Sequence, residues 1–231
     1  MNITATVFVV DHTQEVRMGL ARLLGTAGYQ VRGFESAEHF LRERDADAPG
    51  CLLLDVWMPG LNGLELQTAL ARTPCAPPIV FLTGRGDIQT SVLAMKAGAV
   101  DFLTKPIDNA RLYAAIDQAL RFDAERRLEH AVRSSVERRF ASLTPRERQV
   151  MSLVVRGRLN KQIAAELGTG EKTIKVHRVR VMAKMRARSV AQLVRLGSRA
   201  GIAVEPLGMA QIRPLFAMAP TASELSSLLS I

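Results

Sequence analysis

The sequence CLLLDVWMPGLNG, residues 51–63, joins a short apolar run to a polar loop. Its first residues are apolar and are followed directly by Asp55, a pattern that indicates a short strand ending in a carboxylate. Gly63 then separates the loop from a helical pattern over residues 64–72. We therefore expect a strand, a loop and a helix in this order.

The same unit is repeated along the first half of the chain. Apolar runs that predict strands occupy residues 5–10, 30–34, 51–55, 79–83 and 100–104. Helical patterns lie between them at residues 14–26, 37–44, 64–72 and 88–97, and another begins near Asn109. Five such units in succession predict an α/β domain with a five-stranded parallel sheet, helices on both faces and right-handed crossovers.

Polar residues stand where four of these strands end. Asp11, Asp55 and Thr83 end the first, third and fourth strands, and Lys105 follows the fifth. Because ligands of open α/β sheets bind at the carboxyl ends of the strands, we expect these side chains to converge. A carboxylate can accept a phosphoryl group, and a hydroxyl and an ammonium can bind its oxygens. The pattern therefore favours phosphoryl transfer.

Four motifs carry a family resemblance: VFVVDHTQEVR (7–17), LLLDVWMPGLNG (52–63), VFLTGRGD (80–87) and AMKAGAVDFLTKP (94–106). Together they resemble a response-regulator receiver of the NarL/FixJ type. The resemblance implies a doubly wound, flavodoxin-like sheet of order 2-1-3-4-5, with Asp55 phosphorylated by a histidine kinase. It also implies that Thr83 is the switch hydroxyl and Lys105 the phosphate-binding lysine, with a cis bond to Pro106. Phe102 matches the aromatic that rotates inward on activation; the alternative is an ordinary core residue.

One position departs from the family pattern. Receivers have two adjacent acids after the first strand, whereas here Asp11 is followed by His12. The resemblance implies that Mg²⁺ would be held by Asp55, by the Trp57 backbone carbonyl and by Asp11 through water. Imidazole is a poor ligand for this hard cation. We therefore expect weakened Mg²⁺ binding, which puts control by phosphorylation in question.

Charge is distributed unevenly along the chain. Residues 1–123 carry 11 Lys and Arg against 14 Asp and Glu, whereas residues 124–231 carry 20 against 8. Such an asymmetry suggests that the second half meets a polyanion, although a solvated basic surface is the simpler alternative. No apolar run approaches the roughly 18 residues of a membrane span. We therefore expect a cytoplasmic protein with no membrane partner.

The second half contains signals for four short helices. Thr144, Pro145 and Glu147 form a capping box that starts a helix reaching about residue 156. Further helices are predicted at residues 160–167, from a cap at Thr169 to about 186, and at 190–200. Gly157 and Gly168 separate the first three, which predicts a helix-turn-helix. Residues 143–199 resemble the LuxR-type DNA-binding domain of the same subgroup.

The third of these helices has a mixed outer face. Ile174, Val181 and Met185 should point inward, and small or apolar outer residues would let the helix enter a major groove. Arg178 points inward and could pair with Glu147 or Glu166. An amphipathic helix exposed only to solvent is the alternative. The predicted DNA contacts are Lys161, Lys172, Lys175, Val176, Val179, Arg180 and Lys184.

The fourth helix matches the dimerising helix of the family. The predicted dimer contacts are Val190, Leu193, Val194 and Gly197, which could instead close the core of the domain. We divide the chain into a receiver domain (1–122), a helical linker (123–142), the DNA-binding domain (143–203) and a tail of unassigned role (204–231).

The sequence thus predicts a two-component response regulator, not an enzyme. Phosphorylation of Asp55 would control dimerisation and binding to double-stranded promoter DNA, with a sensor histidine kinase as partner and RNA polymerase as a further candidate. One alternative is an atypical receiver that regulates transcription without phosphorylation, because His12 replaces an acid. A less favoured alternative is a phosphotransfer or phosphatase device.

Overall fold

A computed structural model describes residues 5–84 and 88–199 of the chain. The chain divides into two compact units, Met1–Arg138 and Arg139–Ile231, and each is described by itself. The predicted tail, residues 204–231, and residue 200 of the last predicted helix lie outside the described residues.

The first unit is built on a five-stranded parallel sheet. Its strands are β1 (Thr6–Val10), β2 (Gln30–Phe34), β3 (Gly50–Asp55), β4 (Ile79–Thr83) and β5 (Asp101–Thr104). They pair in parallel in the order β2-β1-β3-β4-β5. Since β3 is buried along its whole length, Asp55 lies at the end of a strand that is packed on both sides. The predicted fold and strand order are confirmed.

Helices cover both faces of this sheet. They are α1 (Gln14–Thr26), α2 (Ala37–Glu43), α3 (Gly63–Leu70), α4 (Ile88–Lys96) and α5 (Asn109–Ala141). Alternate residues of β3 point to opposite faces of the sheet and belong to two hydrophobic cores. Leu52 and Leu54 pack with residues of α2, α3 and α4. Cys51 and Leu53 pack with residues of α1 and α5. This alternation follows from the two-residue repeat of a strand.

The contacts between α5 and the sheet extend beyond the predicted boundary at residue 122. The buried Asp123 carboxylate accepts the Gly50 N–H at 2.9 Å and pairs with Arg127 Nε at 2.7 Å. Arg127 also donates to the carbonyls of Asp47, Ala48 and Cys75. These hydrogen bonds connect α5 to the N-terminal end of β3, the central strand of the sheet.

The second unit contains α6 (Pro145–Val155), α7 (Asn160–Glu166), α8 (Glu171–Lys184) and α9 (Val190–Arg199). The predicted capping box is present, because Thr144 and Glu147 exchange side chain–backbone hydrogen bonds. Gly157 and Gly168 follow α6 and α7 with positive φ angles of 78° and 59°, which glycine adopts without strain.

One predicted helix cap is wrong. Gly170, not Thr169, is the N-cap of α8, and no side chain caps this helix. The helix also ends at Lys184, before the predicted residue 186, where Arg186 has a positive φ of 53°. Among the described residues, no helix is both long enough and apolar enough to span a membrane.

Candidate functional site

The four polar residues at the strand ends lie on neighbouring strands or directly after them. Asp11 follows β1, Asp55 and Thr83 end β3 and β4, and Lys105 follows β5. The Lys105 N–H donates to the Thr83 carbonyl at 2.7 Å, which fixes the loop after β5 beside β4. The Lys105–Pro106 bond is cis, as the family resemblance implied.

Lys105 links the two aspartates. Its ammonium lies 2.7 Å from Asp11 Oδ2 and 3.7 Å from Asp55 Oδ1. Both carboxylates are almost completely buried, whereas part of the lysine side chain reaches solvent. A buried carboxylate needs such a partner, because an uncompensated charge is costly in the protein interior.

Burial also raises the pKa of Asp55. Desolvation raises the pKa of the Asp55 carboxyl above its ordinary value, and the nearby Asp11 charge raises it further. Lys105, His12 and the Val56 N–H oppose this shift. The balance leaves Asp55 a stronger base than a solvent-exposed aspartate, while Lys105 and His12 favour its charged form.

An open cavity of about 440 Å³ gives access to this carboxylate. Its lining residues are His12, Asp55, Trp57, Gly84 and Lys105. The Trp57 side chain is 55% exposed at the rim. A donor molecule can therefore approach Asp55 from solvent without opening the core.

Asp11, His12 and Asp55 form a possible metal site, with one ligand atom from each residue and all three atoms within 4.8 Å of one another. Mg²⁺ prefers an octahedral shell of oxygen atoms. The two carboxylates fit this preference, but the imidazole does not, so the donor set as a whole fits Mg²⁺ poorly. The Trp57 carbonyl remains a predicted ligand.

The proposed switch residues lie on adjacent strands. Thr83 is fully buried, and Phe102 is half-buried with its ring centroid 6.0 Å from that of Phe81. Phe102 thus packs against the core without being enclosed by it. This position is compatible with both interpretations of Phe102, a mobile switch or a core residue.

Three residues that hold Asp11 and Asp55 in position were not identified from the sequence. Arg17 donates to the Asp11 carbonyl at 2.7 Å, and the Thr13 N–H donates to Asp11 Oδ1 at 2.8 Å. Gly63 packs so closely against the Asp55 carbonyl that a Cβ atom there would overlap it. The only signal for these roles was the position of Gly63 just after Asn62, which caps α3.

In the second unit, most of the predicted DNA contacts share one property, exposure to solvent. The exposed ones are Lys161, Lys172, Lys175, Val176, Val179 and Arg180. Val176 and Val179 are 50% and 64% exposed, so both apolar side chains are accessible on the outer face of α8. Ile174, Val181 and Met185 are buried, as predicted.

Two basic residues of α8 form hydrogen bonds within the second unit. Lys184 donates to Glu147 Oε2 at 2.6 Å and to the Ser142 carbonyl at 3.1 Å, so its charge is used within the domain. Its contact with DNA stays a prediction. Arg178 pairs with neither Glu147 nor Glu166 but donates to Asn160 Oδ1 at 3.0 Å.

The predicted dimer contacts on α9 also separate into two groups. Leu193 is completely buried and contributes to the core of the domain. Gly197 is buried as well, but a Cβ atom there would meet nothing within 4 Å, so its role as a dimer contact stays a prediction. Val190 and Val194 are half-buried and keep an outward-facing part.

A pocket of Asp11, Asp55 and Lys105 at the carboxyl ends of a 2-1-3-4-5 sheet, followed by a helix-turn-helix, defines a class of two-domain regulators. Residues 7–117 match the family model "Response regulator receiver domain", and residues 141–196 match "Bacterial regulatory proteins, luxR family". The chain belongs to the response regulators that combine these two domains. Members of this family regulate transcription.

The relatives cover nearly the whole chain. Nodulation protein W of Bradyrhizobium diazoefficiens is 44% identical over 208 residues, which are 90% of this chain and 92% of that protein. Response regulator protein TodT of Pseudomonas putida is 41% identical over 84% of this chain and 86% of its own. Among solved structures, response regulator StyR superposes with a TM-score of 0.79 at 48% identity, covering 85% of this chain and 99% of that one.

Proposed function

We propose that a sensor histidine kinase phosphorylates Asp55 and that this modification promotes dimerisation and binding to promoter DNA. The observation that carries the proposal is the position of Asp55. It ends the central buried strand, lies 3.7 Å from Lys105 and faces an open cavity. This environment suits a carboxylate that receives a phosphoryl group.

The transfer needs a nucleophile and charge compensation. An Asp55 oxygen attacks the phosphorus of a phosphohistidine, the P–N bond breaks and its electron pair stays with the imidazole nitrogen. The resulting acyl phosphate carries a charge of about −1.5 to −2. Lys105 moves from Asp11 towards the new oxygens, and the Thr83 hydroxyl donates to one of them.

The signal would leave the pocket through Thr83 and Phe102. If the Thr83 side chain turns towards the phosphoryl group, it vacates space beside Phe81 and Phe102. Phe102 is only half-buried and can then move inward. This repacking would change the shape of the receiver surface around β5. A partner that binds this surface could then distinguish the phosphorylated state from the unphosphorylated one.

The DNA-binding face is the exposed side of α8. Val176 and Val179 would contact thymine methyl groups in the major groove, and Lys175 would lie at its edge. Basic side chains around them would bind phosphates, namely Lys161, Lys172 and Arg180. Val190 and Val194 would form the dimer contact, and RNA polymerase is a further partner at the promoter.

The proposal is tested by adding an acyl phosphate and following both intact mass and promoter binding. Wild-type protein should gain about 80 Da, one phosphoryl group, and bind DNA more tightly. Asp55→Asn should gain nothing, whereas Asp108→Asn, at an exposed acid near Lys105, should be labelled normally. Labelling without any change in DNA binding, or strong DNA binding by a wild type that is not labelled, would favour phosphate-independent control.

A further inference from the structure

We infer that the pocket of Asp11, His12 and Asp55 selects a divalent transition-metal ion over Mg²⁺. The inference deepens the proposed site by naming the metal class it accepts. It rests on the proposed function only in using the same pocket, because metal binding is measured without any phosphodonor.

The first argument is the spacing of the ligand atoms. His12 Nδ1 lies 3.4 Å from Asp55 Oδ2 and 3.9 Å from Asp11 Oδ1. Zinc-type ions bind nitrogen and oxygen at about 2.1 Å, which places neighbouring ligand atoms roughly 3.0 to 3.4 Å apart. The distance from His12 to Asp55 is already within reach of this range, whereas the distance from His12 to Asp11 must shorten by about 0.5 Å or more for the atoms to share one ion.

These distances are also too long for the alternative, a direct hydrogen bond. An N–H···O bond is usually about 2.7 to 3.2 Å long. At 3.4 Å the imidazole faces two buried carboxylates without a close contact to either. A cation between them would satisfy all three groups.

The second argument is that Lys105 leaves this side of the pocket accessible. Lys105 approaches Asp11 Oδ2 and Asp55 Oδ1, whereas His12 approaches the other oxygen of each carboxylate. An ion on the His12 side therefore does not need to displace the ammonium. Asp11 Oδ1 already accepts the Thr13 N–H, which holds this carboxylate in place for the metal.

The third argument is the chemistry of the donors. Imidazole suits ions such as Zn²⁺, Ni²⁺ and Co²⁺, whereas Mg²⁺ requires hard oxygen ligands. Two carboxylates and one ammonium also leave the pocket with a single net negative charge, when His12 is neutral. An acid in place of His12 would add a second net negative charge. Compared with such a pocket, the pocket with His12 attracts Mg²⁺ less strongly and offers a nitrogen ligand to transition metals.

A second histidine provides a matched control. His39 on α2 also lies near two acids, 3.2 Å from Glu43 and 3.9 Å from Glu35. Those acids are 48% and 70% exposed, whereas the Asp11 and Asp55 side chains are 2% and 6% exposed. Solvent competes much more strongly for an ion at His39.

The test is a titration of full-length protein with Co²⁺ and Mg²⁺, read by the fluorescence of Trp57 and by calorimetry. Trp57 is the only tryptophan and lines the pocket, so Co²⁺ bound there quenches it. His12→Asp should tighten Mg²⁺ binding and lower the ratio of Co²⁺ to Mg²⁺ affinity at least tenfold. His12→Gln should weaken Co²⁺ at least tenfold, and His39→Gln should leave quenching unchanged.

Comparing variants is essential because Co²⁺ generally binds protein ligands more tightly than Mg²⁺. An affinity ratio that stays the same in His12→Asp would overturn the inference, as would Co²⁺ binding that survives in His12→Gln. Either result would leave the phosphorylation of Asp55 untouched. Failure of Asp55 labelling would, in turn, leave the measured metal preference intact.

Discussion

Lys105 Nζ lies 2.7 Å from Asp11 Oδ2 but 3.7 Å from Asp55 Oδ1, so the lysine is paired with the aspartate that is not the proposed acceptor. If Asp55 is phosphorylated as we propose, the new phosphoryl oxygens would compete with Asp11 for the Lys105 ammonium.

We expect Lys105→Gln to slow labelling of Asp55 by an acyl phosphate by about ten- to a hundredfold. Such a loss corresponds to one hydrogen bond to a charged group, about 1.5 to 3 kcal/mol. The rate is measured by intact mass over time. Lys96→Gln, at an exposed lysine of α4, is the control and should label at the wild-type rate. Equal rates for both variants would rule out a role for Lys105 in the transfer.

Gly63→Ala should destabilise the receiver by about 1 to 3 kcal/mol, the usual cost of overpacking. The new Cβ would overlap the backbone carbonyl of Asp55, which cannot move aside without shifting the end of β3. Gly19→Ala in α1 is the matched control, because its Cβ would meet nothing within 4 Å. That variant should be more stable by about 0.5 to 1 kcal/mol. The free energy of unfolding of both variants is measured by urea denaturation. Equal stabilities would show that the close contact between Gly63 and the Asp55 carbonyl does not affect stability.

Glu147→Gln should destabilise the DNA-binding unit by about 2 kcal/mol at neutral pH, because it removes a charged hydrogen-bond partner of Lys184. The hydrogen bond from Lys184 is the main reason that the pKa of Glu147 lies below its ordinary value of 4.5. A lowered pKa means that the native state favours the carboxylate. Its stabilisation is therefore complete above pH 4.5 and disappears as pH falls through the lowered pKa.

The measurement is thermal unfolding of wild type and Glu147→Gln across this pH range. The difference in Tm should be constant from pH 7 to about 5 and should shrink at lower pH. Lys184→Met should show the same pattern. A Tm difference that persists unchanged to pH 2 would contradict the charge-based account.

Lys161→Ala should reduce the slope of log affinity for DNA against log salt by about one, because one phosphate contact is lost. Lys184→Ala should leave this slope unchanged, since its ammonium is held by Glu147. Val176→Ala should instead alter sequence preference at constant slope. The slopes come from fluorescence anisotropy of labelled promoter DNA at several salt concentrations. A reduced slope for Lys184→Ala would show that this residue also contacts a phosphate.

Leu193→Ala and Val194→Ala should separate folding from dimerisation. Leu193 is fully buried, so its truncation should cost about 2 to 5 kcal/mol of domain stability. Val194 is half-buried, and its truncation should mainly weaken self-association. Sedimentation equilibrium and thermal unfolding distinguish the two effects. The dimer proposal fails if Val194→Ala associates as strongly as wild type.

Much of this architecture could be predicted from the sequence because its signals are local. Short apolar runs ending in Asp55 or Thr83 mark buried parallel strands to within a residue, and Thr144 marks a helix start through its capping box. The convergence of Asp55 and Lys105 follows from topology alone, since parallel strands present their carboxyl ends at one edge.

The features that sequence patterns do not reveal have a common cause, which is contact between residues distant in sequence. Nothing near Lys184 in the sequence reveals that Glu147, 37 residues earlier, takes its charge. Leu193 and Val194 look alike in an apolar pattern, and only packing separates core from surface. Asp123 and Arg127 resembled solvated linker charges, yet they bind the backbone of the receiver.

The bond between Asp123 and the Gly50 N–H gives the receiver a natural reporter. Gly50 begins β3 and Asp55 ends it, so one strand joins the α5 attachment to the phosphoryl pocket. Exchange of the Gly50 amide with deuterated water requires that the carboxylate of α5 release it. The exchange rate at this single amide therefore measures how often the Asp123 carboxylate of α5 releases the Gly50 N–H. It can be compared before and after modification of Asp55.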